Sequence, residues 1–190
     1  MQYHFYAMMS RMKNIYRWGL IRNTRKENLS EHSLEVAQIA HALAIINNKR
    51  LGGNANPEFV AVAAMYHDTS EIITGDMPTP IKYHNEEIKK VYKQIEAGAT
   101  SRLMDKLPED FKESFEKIYN ADELTNRLIK AADKISALIK CVEELNMGNK
   151  EFAVAEKSTR KLIEQLGCPE ADIFMSEFME SFSLSLDEQN

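Results

Sequence analysis

Two histidines, His32 and His67, and three acids, Asp68, Glu71 and Asp133, fall on stretches rich in apolar neighbours, where charge is not ordinarily kept. The stretch "MYHDTSEIITGDMPTP", residues 65–80, begins at the end of an apolar run. It then places a His-Asp pair, a Glu, a second Asp and two prolines in quick succession. On a helix over 57–73, Val60, Ala64, His67 and Glu71 share one face at i, i+4, i+7 and i+11, with Asp68 adjoining it. Phe59, Val62 and Met65 make the remaining faces apolar, a pattern that predicts a helix buried nearly all round. His32 shares a second inward stripe with Val36, Ile39 and Leu43, whereas His41 is half a turn out of phase and is expected to face away. Asp133 lies in "LIKAADKISALIK", where small Ala131 and Ala132 would let another element approach closely.

An unpaired carboxylate is expensive in such surroundings, and a divalent cation resolves the burial of all these groups together. Imidazole nitrogens with carboxylate oxygens suit Mn, Co, Fe, Ni or Zn, and His32, His67, Asp68 and Asp133 can fill four coordination positions, leaving others to water. Taken singly, each histidine reads as well as a hydrogen-bonded core residue, and Asp133 as the partner of a buried Arg or Lys. The joint pattern is more specific. His4 and His84 have no acidic constellation around them and read as surface or structural residues.

The elements that must position these groups are all helical. Apolar periodicity predicts helices over roughly 3–16, 31–48, 57–73, 84–106, 109–119, 122–147, 150–166 and 170–182, and no stretch alternates persuasively as a strand. "NPE" at 56–58 supplies an Asn cap followed by Pro, and Gly148 ends the helix that begins near Asp122. No linker or repeat divides the 190 residues, so the expectation is one all-α domain, residues 1–190, large enough to bury roughly 70% of its unfolded surface. A net charge of −5 argues against a nucleic acid polymer as partner. The longest apolar run, "VAVAAMY" at 60–66, is too short for a membrane span. Two isolated cysteines, Cys141 and Cys168, suit a reducing cytoplasm.

"SEHS" at 30–33, "YHDTSE" at 66–71 and "KAADK" at 130–134 resemble the His…His-Asp…Asp pattern of HD-domain metal-dependent phosphohydrolases. More narrowly, "RWGLIRNTRKENLSEHS", "AMYHDTSEIITGDMPTPIKY" and the ending "SFSLSLDE" are similar to the bacterial 5'-deoxynucleotidase branch, almost from end to end. The resemblance implies an all-helical HD-domain bundle, usually a homodimer. It implies one divalent metal, cobalt, manganese or copper, on residues matching His32, His67, Asp68 and Asp133. It further implies hydrolysis of deoxyribonucleoside 5'-monophosphates, selective for deoxyribose and tolerant of the base. Arg17, Trp18, His32, Asp68, Asp76, Met77, Pro78, Thr79 and Asp133 are then expected around the substrate. The rival expectations are another HD-domain nucleotide phosphohydrolase and a non-catalytic HD module that binds a nucleotide or partner.

Phosphoryl transfer is mostly positioning and electrostatics, so a guanidinium on the phosphate is the next requirement. Arg17 is the candidate, against a reading in which it is solvated with Arg22, Arg25 and Lys26. Glu71 would orient the attacking water or relay its proton, or else hold the His67 tautomer. "TGDMPTP" is expected to break the helix and cover the site: Gly75 permits the turn, Pro78 and Pro80 stiffen it, and Asp76 offers acceptors to sugar hydroxyls or simply serves the turn. Trp18 would pack on sugar or base, or else belong to the core.

Overall fold

Three helices with small residues on their facing sides build the frame. In a computed structural model, which describes residues 2–82 and 84–190 and only the backbone at Thr79, the helices are α1 (Phe5–Met9), α2 (Leu29–Arg50), α3 (Pro57–Met65), α4 (Glu71–Thr74), α5 (Thr79–Lys82), α6 (Glu86–Met104), α7 (Glu109–Tyr119), α8 (Glu123–Asn146), α9 (Ala153–Gln165) and α10 (Pro169–Phe178). Among the described residues the β pairing is confined to one antiparallel bridge between Tyr16 and Asn28. The chain is therefore all-helical, as expected.

Helix α2 packs on α3 and α8, and α8 packs in turn on α9. Ala40 and Ala44 on α2, Ala63 and Ala64 on α3, and Ala131 and Ala132 on α8 are all buried in one apolar cluster with Val36, Leu43, Leu128 and Ile135. Small side chains let backbones approach closely, so groups carried by these three helices can meet. The ends are set by local chemistry. Asn28 accepts from the Ser30 and Glu31 N–H groups while Glu31 reaches back to it, closing a capping box at the start of α2. Asn56 caps α3 ahead of Pro57, and Asp122 caps α8 through the Thr125 N–H. Gly148, at φ 83°, ends α8 with a conformation that side chains resist.

The helix expected over 57–73 is not continuous. It stops at Met65, residues 66–70 form turns, and α4 adds only Glu71–Thr74. Local side chains take the carbonyls that helix continuation would need: His67 Nδ1 lies 2.7 Å from the Ala64 oxygen, and Thr69 Oγ1 donates to the Tyr66 oxygen at 2.9 Å. His67 and Asp68 thus project from a turn, and the i, i+4, i+7, i+11 face predicted for them does not extend past Ala64. Nor is α3 buried all round, since Val62 and Met65 are 40% and 43% exposed. The helix expected over 3–16 is α1 followed by a 3₁₀ segment, Ser10–Asn14, and the stretch over 170–182 likewise ends in 3₁₀ geometry, Met179–Ser183.

The alanine seam makes a prediction. Ala132→Leu should overpack the contact and destabilise the fold by about 1–3 kcal/mol in urea unfolding. An unchanged midpoint would show that the three helices have slack between them.

Candidate metal centre

His32 comes one turn into α2, fully buried on the stripe with Val36, Ile39 and Leu43. His67 and Asp68 come from the turn after α3, and Asp133 comes from the middle of α8. Their ligand atoms all lie within 4.8 Å of one another. His67 Nε2 is 3.0 Å from Asp68 Oδ2, and His32 Nε2 is 3.2 Å from Asp133 Oδ1 and 3.6 Å from Asp68 Oδ2.

The outward nitrogen of each ring decides what the inward one offers. His67 Nδ1 donates to the Ala64 carbonyl at 2.7 Å, leaving a lone pair on Nε2. Ser136 Oγ donates to Glu35 at 2.5 Å and so accepts from His32 Nδ1 at 3.0 Å, which in the neutral ring leaves the lone pair on His32 Nε2. Both Nε2 atoms are buried without a well-formed hydrogen bond. Two nitrogen lone pairs facing carboxylate oxygens is a donor set for a cation, and the four residues fit a borderline divalent metal.

The electrostatics carry the same demand. Burial and the Arg17 charge oppose protonation of His32, yet hydrogen bonding to Asp133, Asp68 and Glu27 pushes it up to about 10. Burial alone would raise Asp68 and Asp133, but the histidines beside Asp68, and Lys134 and His32 beside Asp133, hold both well below the carboxylate range. The cage therefore draws a positive charge, and a cation must displace a proton to bind.

Around the cage stand the other residues singled out from the sequence. Arg17 is mostly buried rather than solvated, with Nη1 3.5 Å from Asp68 Oδ2 and Nε 3.6 Å from Glu27 Oε2. Glu71 is 4% exposed and its Oε2 has no partner; burial, then the charges of Asp68 and Asp76, push it up to about 8. Gly75, at φ 73°, turns the chain into an irregular loop, and Asp76 there lies against the Trp18 backbone N–H. Met77 and Pro78 follow it half-buried, while the Thr79 side chain lies outside the described residues. The Trp18 indole donates to Glu27 Oε2 at 2.8 Å and packs on Phe152 with centroids 5.2 Å apart. Trp18 also holds φ at 61°, a left-handed conformation costly for a bulky residue. His4 and His84 are exposed, away from the cluster; His41, expected to face away, is half-buried.

Three partners were not singled out from the sequence. Glu27 touches Trp18, Arg17 and, at 3.5 Å, His32 Nδ1. It sits in a loop, where no periodicity marks an inward side chain. Glu35 and Ser136 stand three residues beyond His32 and Asp133, one helical turn from a ligand, and that spacing could have marked them. A cavity of about 630 Å³ opens beside His67 and Ser70, with Glu96, Asp105 and Glu116 against Lys112 in its wall.

Residues 4–182 match the family model described as "5'-deoxynucleotidase YfbR-like". The chain is 50% identical over 188 residues to a 5'-deoxynucleotidase of Vibrio parahaemolyticus, covering 97% of both chains. It is 51% identical over 190 residues to a 5'-deoxynucleotidase of Yersinia pestis, covering 97% of this chain and 95% of that one. In fold it is similar to an HD-domain phosphohydrolase from Listeria innocua, with a TM-score of 0.81 at 21% identity, covering 98% of this chain and 91% of the other. The HD phosphohydrolase DatZ of cyanophage S-2L, described as bound to dA and one catalytic Zn²⁺ ion, matches with a TM-score of 0.68 at 19% identity, covering 96% and 98%.

If Ser136 fixes the His32 tautomer, Ser136→Ala should weaken Mn²⁺ or Co²⁺ binding about 10-fold or more in calorimetric titration, with little loss of helical signal. Undiminished affinity would remove Ser136 and Glu35 from the support of the cage.

Proposed function

The chain belongs to the YfbR-like 5'-deoxynucleotidase family, and from that premise we propose that it hydrolyses deoxyribonucleoside 5'-monophosphates to deoxyribonucleoside and phosphate, selecting deoxyribose over ribose and tolerating different bases. The observation that carries the reading is the convergence of His32, His67, Asp68 and Asp133 with two buried ring nitrogens turned inward and a buried guanidinium beside them. In this reading His32, His67, Asp68 and Asp133 hold one divalent cation, cobalt, manganese or copper being the ions proposed. When bound, it supplies Lewis acidity that lowers the pKa of water and neutralises phosphoryl charge.

The chain's own groups do the rest. Arg17 turns from Asp68 to the phosphate and holds it in line for attack. In its ionised form Glu71, buried and with one oxygen unpartnered, takes the proton of the attacking water as oxygen bonds to phosphorus. The P–O5' bond breaks, its electron pair stays on O5', and Glu71 returns the proton there. Asp76 accepts from the sugar 3'-hydroxyl. Trp18, braced by Glu27 and Phe152, forms with Asp76 a wall that leaves no room for a 2'-hydroxyl. Met77 and Pro78 continue that wall, and Thr79, whose side chain lies outside the described residues, is the remaining substrate contact proposed from the sequence. His32, Asp68 and Asp133 also border the phosphate. The acidic lining of the cavity beside His67 disfavours further phosphates, which supports a monophosphate over a triphosphate.

The working unit in this reading is a cytoplasmic homodimer, and the exposed Ile88, Val91 and Ile95 on α6 offer an apolar seam for it. No helix among the described residues is long and apolar enough to cross a membrane.

Phosphate release from matched ribo- and deoxyribonucleotides, with and without added cation, tests the assignment. The deoxyribonucleotides should be hydrolysed in a cation-dependent way and the ribonucleotides poorly; full activity after chelation would overturn it. Glu71→Gln should lower kcat by roughly 10²-fold or more while KM and metal content hold, as removing a proton-transfer group does. Loss of metal with rate would make Glu71 a ligand instead. Asp76→Ala should lower kcat/KM for the deoxyribonucleotide and narrow the gap to its ribo counterpart, because one change removes both the hydrogen bond and the obstruction. An unchanged ratio would show that Asp76 does not read the sugar.

A further inference from the structure

Helix α8 carries a second acid that the chemistry above does not use. Asp133, Ser136, Lys140 and Glu144 recur at i, i+3, i+7 and i+11, one stripe along the helix, and the last three are 0%, 5% and 0% exposed. Glu144 lies about 16 Å along the axis from Asp133, too far to meet the cation or the phosphate. A buried carboxylate costs stability unless it is fully paired, and an apolar residue of similar size would fill the place more cheaply.

Its partners show what it holds. The Glu144 carboxylate accepts from the Thr24 N–H at 2.8 Å, the Arg25 N–H at 3.1 Å, the Asn149 side-chain amide at 2.7 Å, and Lys140 Nζ. Lys140 also donates to the Arg25 carbonyl, and Asn149 to the Arg22 carbonyl at 2.7 Å. All of these tie down one segment, residues 22–25, which is the tip of a loop. Its neck is closed where the Arg17 N–H donates to the Glu27 carbonyl at 3.0 Å and the Leu29 N–H to the Ile15 carbonyl at 2.8 Å. At that neck sit Arg17, Trp18 in its left-handed conformation, and Glu27. The floor beneath the indole is Phe152, itself fully buried.

We propose that Glu144 is a positioning residue: through Thr24, Arg25 and Asn149 it pins the tip of the 17–28 loop to α8, and so sets where the Arg17 guanidinium stands relative to the ligand Asp133 on the same helix. The inference rests on the assignment of Arg17 to the substrate phosphate. One rigid helix then carries a metal ligand and the anchor of the phosphate clamp, and the separation between cation and guanidinium is held by α8 rather than by the loop. A network with every member satisfied specifies a single geometry, which is the use a buried charge can serve.

A double-mutant cycle tests this, read by kcat/KM on a deoxyribonucleoside monophosphate with metal content and circular dichroism measured alongside. Glu144→Gln keeps the shape but turns an amide toward the N–H donors. It should lower kcat/KM about 10-fold or more in the parent with metal content unchanged, and by less than about 2-fold once Arg17 is already Ala. Trp18 is the chain's one tryptophan, so its fluorescence reports the loop directly, and Glu144→Gln should raise its accessibility to acrylamide. If Glu144→Gln does not fold, Asn149→Ala, which cuts a single tie, is read on the same two axes and should move both in the same direction. Equal losses with and without Arg17, or unaltered Trp18 quenching, would overturn the part given to Glu144 and leave the clamp standing. Undiminished kcat/KM in Arg17→Ala would remove the clamp, and the proposal with it.

Discussion

Two imidazoles and two carboxylates held within 4.8 Å of one another draw positive charge toward them, and the fold's own cations, Arg17 and Lys134, meet the two carboxylates only from the edges of the cage. Both Nδ1 atoms are tied outward, to Ala64 and Ser136, so Nε2 of each ring is the nitrogen that faces the carboxylates. Arg17 stops 3.5 Å from Asp68 and is also held back by Glu27. Lys134 occupies the other oxygen of Asp133 and leaves Oδ1 facing His32. A centre with this donor set can hold a metal ion, and the Arg17 guanidinium stands at its edge.

That constraint explains several features that would otherwise be costs. The alanine seams of α2, α3 and α8 give up large apolar contacts, and close approach of the three ligand-bearing segments is what they gain. The turn at 66–70 interrupts a helix that could have continued, yet it aims His67 and Asp68 from a short rigid segment whose carbonyls fix the ring. Trp18 is held in a left-handed conformation by Glu27 and by Ile21 and Asn23, which bond to its carbonyl. Strain of that kind persists when the surroundings over-determine it, and here it faces the proposed sugar site.

Much of this was legible from residue spacing, and the exceptions have physical reasons. The His32 stripe and the apolar surroundings of Asp133 are periodic features of long helices, and both appear as expected. The path around His67 departs from the expected helix because the helical period continues through residues whose side chains capture the carbonyls; hydrophobic pattern carries no record of that competition. Glu27 was invisible for a related reason, lying in a loop whose shape is set by distant partners on α8. Glu144 and Lys140 are spaced i, i+4, which is also the spacing of ordinary exposed helix pairs, and the packing of residues 22–25 over them buries this one.

The central claim is that these four side chains form a cage for one cation. It is tested most directly by anomalous X-ray diffraction from crystals of the protein loaded with Mn²⁺ or Co²⁺. The account predicts a single strong peak about 2.0–2.2 Å from His32 Nε2, His67 Nε2 and a carboxylate oxygen of each of Asp68 and Asp133. A peak elsewhere, or none with the four side chains still in place, would contradict it.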